Sequence, residues 1–330
     1  MLRFSFFAIG LLLTLCLFGF KMYQSELDRS LTTKEIGFEI KRGDSLSRVA
    51  QRLHKKKLLN NTFWFKFSAV VQGVSSQLKA GEYAVGPGVS LRELLDMLVA
   101  GTVQQHALLL VEGWNFRQVL DAVCHHPAIV KEICTDPKPD FGEVLGKPDI
   151  HPEGRFFPDT YFLIKGTTDI EFLRRAAQRM QRILDIEWQN RAKDLPVQSA
   201  DEALVLASII EKETGVPDER DEISGVFTRR LRKGMLLQSD PTVIYGIGEA
   251  FDGNLRSRDL VADNPYNSYV RSGLPPTPIA MPGIGAIHAA LHPKSGNALF
   301  FVARGNGRHY FSATLREHNR AVRQYQLHQN

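Results

Sequence analysis

The 330-residue sequence is poor in the features that announce common chemistries. It has three cysteines, Cys16, Cys124 and Cys134, and neither CxxC nor HExxH spacing, so no standard zinc pattern is present. No phosphate-binding glycine loop occurs, which removes the usual basis for a nucleotide site, and nothing in the chain calls for a cofactor. No GxSxG elbow surrounds Ser239, so that serine lacks the setting of a nucleophile. Internal repeats and low-complexity tracts are also missing. The net charge of +5 comes from well-mixed charges of both signs; it does not single out nucleic acid, and anionic membrane or wall polymers would suit it equally. What is plentiful is hydrophobic residue, 43%, enough to fill two or three modest cores.

Part of that hydrophobic content is concentrated at the N-terminus. Phe4 to Phe20 carries no charge and is flanked by Arg3 and Lys21. Seventeen helical residues cover roughly 25 Å, extended by Met22 and Tyr23, so a single transmembrane helix is expected at 4–23. A cleaved signal peptide is the competing reading, but no small-x-small site follows the run. Cys16 then faces lipid. Arg3 on the short side places residues 1–3 in the cytoplasm of a bacterium and the bulk of the chain outside the inner membrane. In that oxidising space Cys124 and Cys134 can form a disulfide; the alternative is a metal site with His125 and His126.

The remaining chain reads as α+β. Residues 24–36 are polar and mixed in charge, a stalk. Residues 37–86 read as strand, turn, helix, helix, strand. Phe38 and Ile40 alternate, Gly43-Asp44 turns, Ser45 caps a helix carrying Leu46, Val49, Ala50 and Leu53, a second helix runs through "NTFWFKFSAVVQ", and "LKAGEYAV" returns as a strand. This β-α-α-β unit resembles a LysM module, a small fold that commonly binds N-acetylglucosamine polymers. An α+β connecting region follows at 87–140, with Ser90 and Glu93 in capping-box register. A larger α+β domain is expected at 141–330. It holds a long amphipathic helix from Asp169 to about Ala192, with Arg174, Arg175, Arg179 and Arg182 on its solvated side.

"ADEALVLASIIEKETG" is a helix of apolar pattern, with Gly215 placed for a left-handed C-cap and Pro217 beyond it. Counting back from Glu213 meets Ile210, Ile209 and Leu206, so Glu213 continues the buried stripe. Counting back from Glu211 meets Ser208, Ala207 and Leu204, a smaller and mixed face, while Lys212 projects away. A carboxyl pressed against apolar side chains at the negative end of a helix has its pKa raised, which suits a general acid. The plainer reading is a pair of solvated glutamates in surface ion pairs.

Four further segments weigh against the plainer reading: "PEGRFFPDTYFL" (152–163), "LLQSDPTVIYG" (236–246), "NPYNSYVRSGLPPTPIAMPG" (264–283) and "AALHP" (289–293). Their Pro, Gly, Tyr, Asn and Asp suit a carbohydrate groove, with aromatic faces for sugar rings and amides or carboxylates for hydroxyls. In their order along nearly the whole chain, with the late His318-Asn319, these motifs resemble the endolytic murein transglycosylases, the YceG-like family. The resemblance implies a catalytic acid at Glu213. It also implies cleavage of the β-1,4 bond between N-acetylmuramic acid and N-acetylglucosamine in peptidoglycan, leaving 1,6-anhydro ends. Glu211 is expected as a supporting carboxylate that tunes Glu213 or binds sugar. Asp240, Tyr266, Asn267 and Tyr269 are candidates for substrate contact or for positioning the acid, with Glu153 and Asp159 behind them. Expected partners are glycan strands and, beside nascent glycan, peptidoglycan synthases, with no nucleic acid. Two rival readings remain: a noncatalytic wall-binding scaffold, and a hydrolase that pairs Glu213 with a second carboxylate.

Overall fold

The computed structural model describes residues 2–148 and 150–327, with side chains from residue 12 onward. By its contacts the chain divides into two units, residues 1–106 with 162–167, and residues 107–161 with 168–330. Helix and strand are mixed in both, an α+β architecture.

The first unit begins with helix α1 (Leu2–Leu27). The span expected at 4–23 falls within it, and its first part, residues 4–11, lies outside the residues whose side chains are described. Among the described residues no helix is long and apolar enough to cross a membrane, so the expected transmembrane helix is not supported. The helix also continues past the apolar run into Gln24–Leu27. Residues 24–36, expected as a stalk, are held against the unit: Leu27 is buried in its core, Arg92 bonds Gln24 and Asp28, and the Leu31 N–H donates to the Val89 carbonyl at 2.9 Å.

Next come β1 (Ile36–Ile40), α2 (Leu46–Lys55), α3 (Phe63–Val71), β2 (Gly81–Val85) and α4 (Leu91–Ala100). β1 and β2 pair antiparallel with Phe38 opposite Tyr83, their rings stacked 5.5 Å apart. The Ser45 hydroxyl caps α2 by accepting the Arg48 N–H, and Ser90 with Glu93 closes a capping box on α4. Val49, Leu53, Phe65, Leu94 and Leu98 fill the core between these helices and the two-stranded sheet.

In the second unit, α5 (Phe116–His125) starts at an Asn115/Gln118 capping box and ends near Cys124, which is disulfide-bonded to Cys134. The loop carrying Cys134 is fixed again by Asp169, whose buried carboxylate accepts the N–H groups of Glu132, Ile133 and Cys134. Asp169 opens α6 (Asp169–Gln189), which packs Phe172, Leu173, Met180 and Leu184 inward. On its outer side Arg179 pairs with Asp159, and Arg175 lies over the Tyr161 ring, so the arginines are engaged with neighbours.

Helix α7 (Ala200–Glu213) is the axis of this unit. All eight consecutive residues from Ala203 to Ile210 are buried, packed by α6, by α8 (Arg220–Arg232) and by α10 (Ile284–Leu291). Helix α9 (Asp240–Ile247) approaches its C-terminal end. The chain closes with the hairpin β3 (Phe300–Ala303) and β4 (His309–Ser312) and helix α11 (Leu315–Val322). Helix α7 does not end in a left-handed Gly215. The break is one residue earlier, where buried Thr214 is extended at φ −145° and its hydroxyl accepts the Val216 N–H. A β-branched residue suits that extended backbone, and no positive φ is then needed.

Removing the cross-link with the double variant Cys124→Ser, Cys134→Ser is expected to cost about 2–3 kcal/mol, from the loop-closure entropy of a loop this short. Chemical denaturation of oxidised wild type and variant measures it; coincident transitions would contradict the assignment.

Candidate active site

The end of α7 presents two carboxylates in different surroundings. Because α7 is buried on every side, the distinction drawn from helical register does not hold as expected: Glu211 is also inside, its side chain 6% exposed. Glu211 accepts the Gly283 N–H at 2.9 Å and lies 3.4 Å from the Arg220 guanidinium. Burial raises its pKa, opposed by the Gly283 N–H and by Arg220. It therefore fastens α7 to the start of α10. A Cβ at Gly283 would stand 1.9 Å from the Glu112 carboxylate, so a larger residue there would displace that exposed side chain. Lys212 is exposed and reaches the Gly113 carbonyl at 3.2 Å.

Among the described residues Glu213 has one side-chain hydrogen-bond partner, the Ser239 hydroxyl, which donates to Oε1. Burial pushes the Glu213 carboxyl up to about 7; the Ser239 hydrogen bond and the Arg230 charge oppose the rise, and the Asp240 charge adds to it. Near neutral pH this group therefore exists in both protonation states, as proton exchange requires.

Ser239 is itself held rigidly. It is 1% exposed, its N–H donates to Ser268 Oγ at 2.9 Å, and Thr242 Oγ1 lies 2.7 Å from the same Ser268 oxygen. Two of the motif loops are locked together in this way beneath Glu213. The second of these, 264–283, is also tied to α7 through Ser208, whose hydroxyl accepts the Ile279 N–H at 3.0 Å. A third, 152–163, joins by close approach: Gly154, at φ +76°, leaves no room for a Cβ, which would lie 2.4 Å from Pro278.

The other expected residues divide into two sets. Asp240 is exposed at the first turn of α9 and accepts the Tyr269 hydroxyl proton at 2.5 Å; burial and this carboxylate raise the Tyr269 pKa. Tyr266 bonds Thr277 at 2.9 Å and packs on Tyr245 with ring centres 4.8 Å apart. Glu153, 3% exposed, accepts the Phe116 N–H and the Tyr245 hydroxyl, and burial pushes it up to about 6. Glu153, Tyr245 and Tyr266 line an open cavity of about 860 Å³ with Asn115, Lys212 and Pro241.

Two expectations change. Asn267 is 1% exposed, donates to the carbonyls of Asp259, Leu260 and Ala262, and accepts the Tyr269 N–H; it folds the loop, and burial with both amide hydrogens engaged withholds it from substrate. Asp159 is committed to Arg179 and to the Thr160 N–H. "AALHP" is helical through Leu291, with Ala289 and Ala290 buried, so it contributes packing to the core. Sequence reasoning weighed Ser239 only as a nucleophile and passed over Tyr245 and Arg230. Arg230 is buried in α8, donates to the Leu237 and Leu299 carbonyls, and stands over Phe300 with its charge directed at Glu213 and His318. Its only sequence signal is an arginine on an otherwise apolar face.

Residues 38–324 match the sequence model of the YceG-like family. The chain belongs to the YceG-like family. Among its relatives, a Bacillus subtilis protein named endolytic murein transglycosylase is 31% identical over 326 residues, covering 94% of this chain and 89% of that one. A Streptococcus pneumoniae protein of the same name is 27% identical over 361 residues; 97% of this YceG-like chain aligns, against 65% of the pneumococcal protein, so it spans less than two thirds of that relative. A crystal structure of a YceG-like protein from Listeria monocytogenes aligns with a TM-score of 0.54 at 29% identity, covering 88% of this chain and 99% of that one.

Ser239→Ala removes the hydroxyl that favours the charged form of Glu213, so the Glu213 pKa is expected to move above about 7. Titration of the carboxyl by carbon-13 NMR checks this, and a downward or absent shift would contradict it. Asn267→Ala leaves three part-buried carbonyls without their donor and is expected to cost about 1 kcal/mol in chemical denaturation.

Proposed function

We propose that this YceG-like protein is an endolytic murein lytic transglycosylase, with Glu213 as its acid and base. The observation that carries the reading is a carboxyl raised to about 7 at the end of a buried helix and held by a serine hydroxyl, with the chain neighbours Lys212 and Pro241 lining an open cavity that also holds Tyr245 and Tyr266. The names of the Bacillus and Streptococcus relatives support the same activity.

In this reaction the bond from muramyl C1 to the glycosidic oxygen breaks, and Glu213 donates its proton to that oxygen as N-acetylglucosamine departs. The muramyl C6 hydroxyl then bonds to C1 and returns its proton to Glu213, giving the 1,6-anhydro ring with no water consumed. One carboxyl whose pKa lies near the working pH can perform both transfers. Ser239 holds Oε1 and leaves Oε2 to exchange the proton, while Tyr245 and Tyr266 offer ring faces for sugars. Glu211, tied to Gly283 and Arg220, keeps the helix end in place.

The finer parts of the proposal are that the uncharged run Phe4–Phe20 anchors the protein in the inner membrane, that residues 37–86 bind glycan, and that the enzyme ends nascent strands beside peptidoglycan synthases. The disulfide supports an extracytoplasmic location for the second unit.

Purified glycan strands digested with wild type and with Glu213→Gln test the activity. Wild type is expected to yield anhydro-ended products and the variant at least 10²-fold less, in line with loss of a general acid. Equal product from both, or none from either, would favour a noncatalytic scaffold or another acid. Product masses heavier by one water would favour a hydrolase that uses Asp240 as its second carboxylate. Because the first step needs the protonated form, kcat/KM is expected to fall about tenfold per pH unit above about 7, the limb set by Glu213. A rate that stays level to pH 9 would assign the acid elsewhere.

A further inference from the structure

A second cluster of chemistry-bearing side chains lies where α6 and α10 end. His288 and His292 are one helical turn apart, and their rings lie side by side with centres 4.1 Å apart and planes 17° from parallel. Glu187, in the last turn of α6, brings Oε2 to 2.8 Å from His288 Nδ1. One ligand atom from each of the three falls within 4.8 Å of the others. We infer that Glu187, His288 and His292 form a binding site for a divalent transition cation of the zinc class, which clamps the ends of α6 and α10.

The hydrogen bonds select the ligand atoms. His292 Nε2 lies 3.0 Å from the Asn190 carbonyl, the partner that commonly orients a metal-binding imidazole through its remote N–H. Nδ1 stands 3.2 Å from the His288 carbonyl oxygen. An ion about 2 Å from Nδ1 cannot lie on that line, so ligation turns the His292 ring off this carbonyl. His288 Nδ1 and Glu187 Oε2 now share a proton, which a metal ion would replace while keeping both as ligands. Two imidazoles and one carboxylate leave a fourth tetrahedral position for water, a set that suits zinc and not the all-oxygen preference of magnesium or calcium.

The surroundings also favour positive charge. Both helices direct the carbonyl ends of their dipoles here, with the Arg191 guanidinium already bonded to the Trp188 carbonyl at 2.7 Å in the last turn of α6. Side-chain exposure of 53% for His288 and 17% for Glu187 gives a hydrated ion a path of entry. The cluster shares no residue with the Glu213 site, so the proposal stands whether or not glycan is cleaved.

The test is calorimetric titration of the full chain with zinc chloride at pH 7.5 and 5.5, repeated for His288→Ala, His292→Ala and Glu187→Gln. Wild type is expected to show a zinc site at pH 7.5 that is lost at pH 5.5, because imidazole must be neutral to ligate. Each variant is expected to bind at least tenfold more weakly, and zinc to raise the thermal midpoint of wild type alone. Magnesium in tenfold excess is expected not to compete. Glycan digestion by the two histidine variants is expected to match wild type, which shows them folded. Absence of zinc binding by wild type, or equal affinity in wild type and the histidine variants, would overturn the site and leave a hydrogen-bonded surface cluster.

Discussion

The second unit depends on burying one helix from every side. Eight consecutive residues of α7, Ala203 to Ile210, have no exposed face. Such a helix cannot end in water as a surface helix does; its last turn emerges among the elements that cover it. The carboxylates at 211 and 213 are thereby placed where desolvation is the largest influence on both. One is compensated by a backbone N–H and a guanidinium, and the other by a single hydroxyl. That difference in compensation separates a structural glutamate from one poised to exchange a proton.

The loops around α7 form a scaffold made largely of side-chain hydrogen bonds. Ser208 reaches the Ile279 segment, Ser239 and Thr242 meet at Ser268, and Asn267 gathers three carbonyls. Each small hydroxyl or amide satisfies backbone groups that irregular loops would otherwise leave unpaired in a dry interior. Close packing of Gly154 against Pro278 allows little slack between their loops. A general acid benefits from that rigidity, since a small misplacement of the proton donor costs rate steeply.

Much of this was readable in the chain. The Ser45, Ser90 and Thr214 neighbourhoods are local, and the caps at Ser45 and Ser90 follow from residue type and spacing within a single turn. The raised pKa at Glu213 was legible because an apolar stripe three and four residues back implies burial. Glu211 was misjudged for the same reason: periodicity assumes that one face of a helix sees solvent, and α7 has no such face. Asn267 looked like a sugar-binding amide because a loop motif shows residue type without showing occupancy. Ser239 could be excluded as a nucleophile by its context, but its real partner lies 26 positions away in sequence.

The sequence by itself determined the caps at Ser45 and Ser90, the order of the motif loops and the candidate acid, because each rests on interactions within a few residues or on the order of whole motifs. Tertiary structure alone decided which polar side chains were already spent. It committed Asn267 and Asp159 to the fold, set Ser239 on Glu213 and Tyr245 on Glu153, and brought Glu187 to His288 across 101 positions. The physical reason is that a hydrogen-bonding group has a fixed number of partners, and only packing brings together those that are distant along the chain.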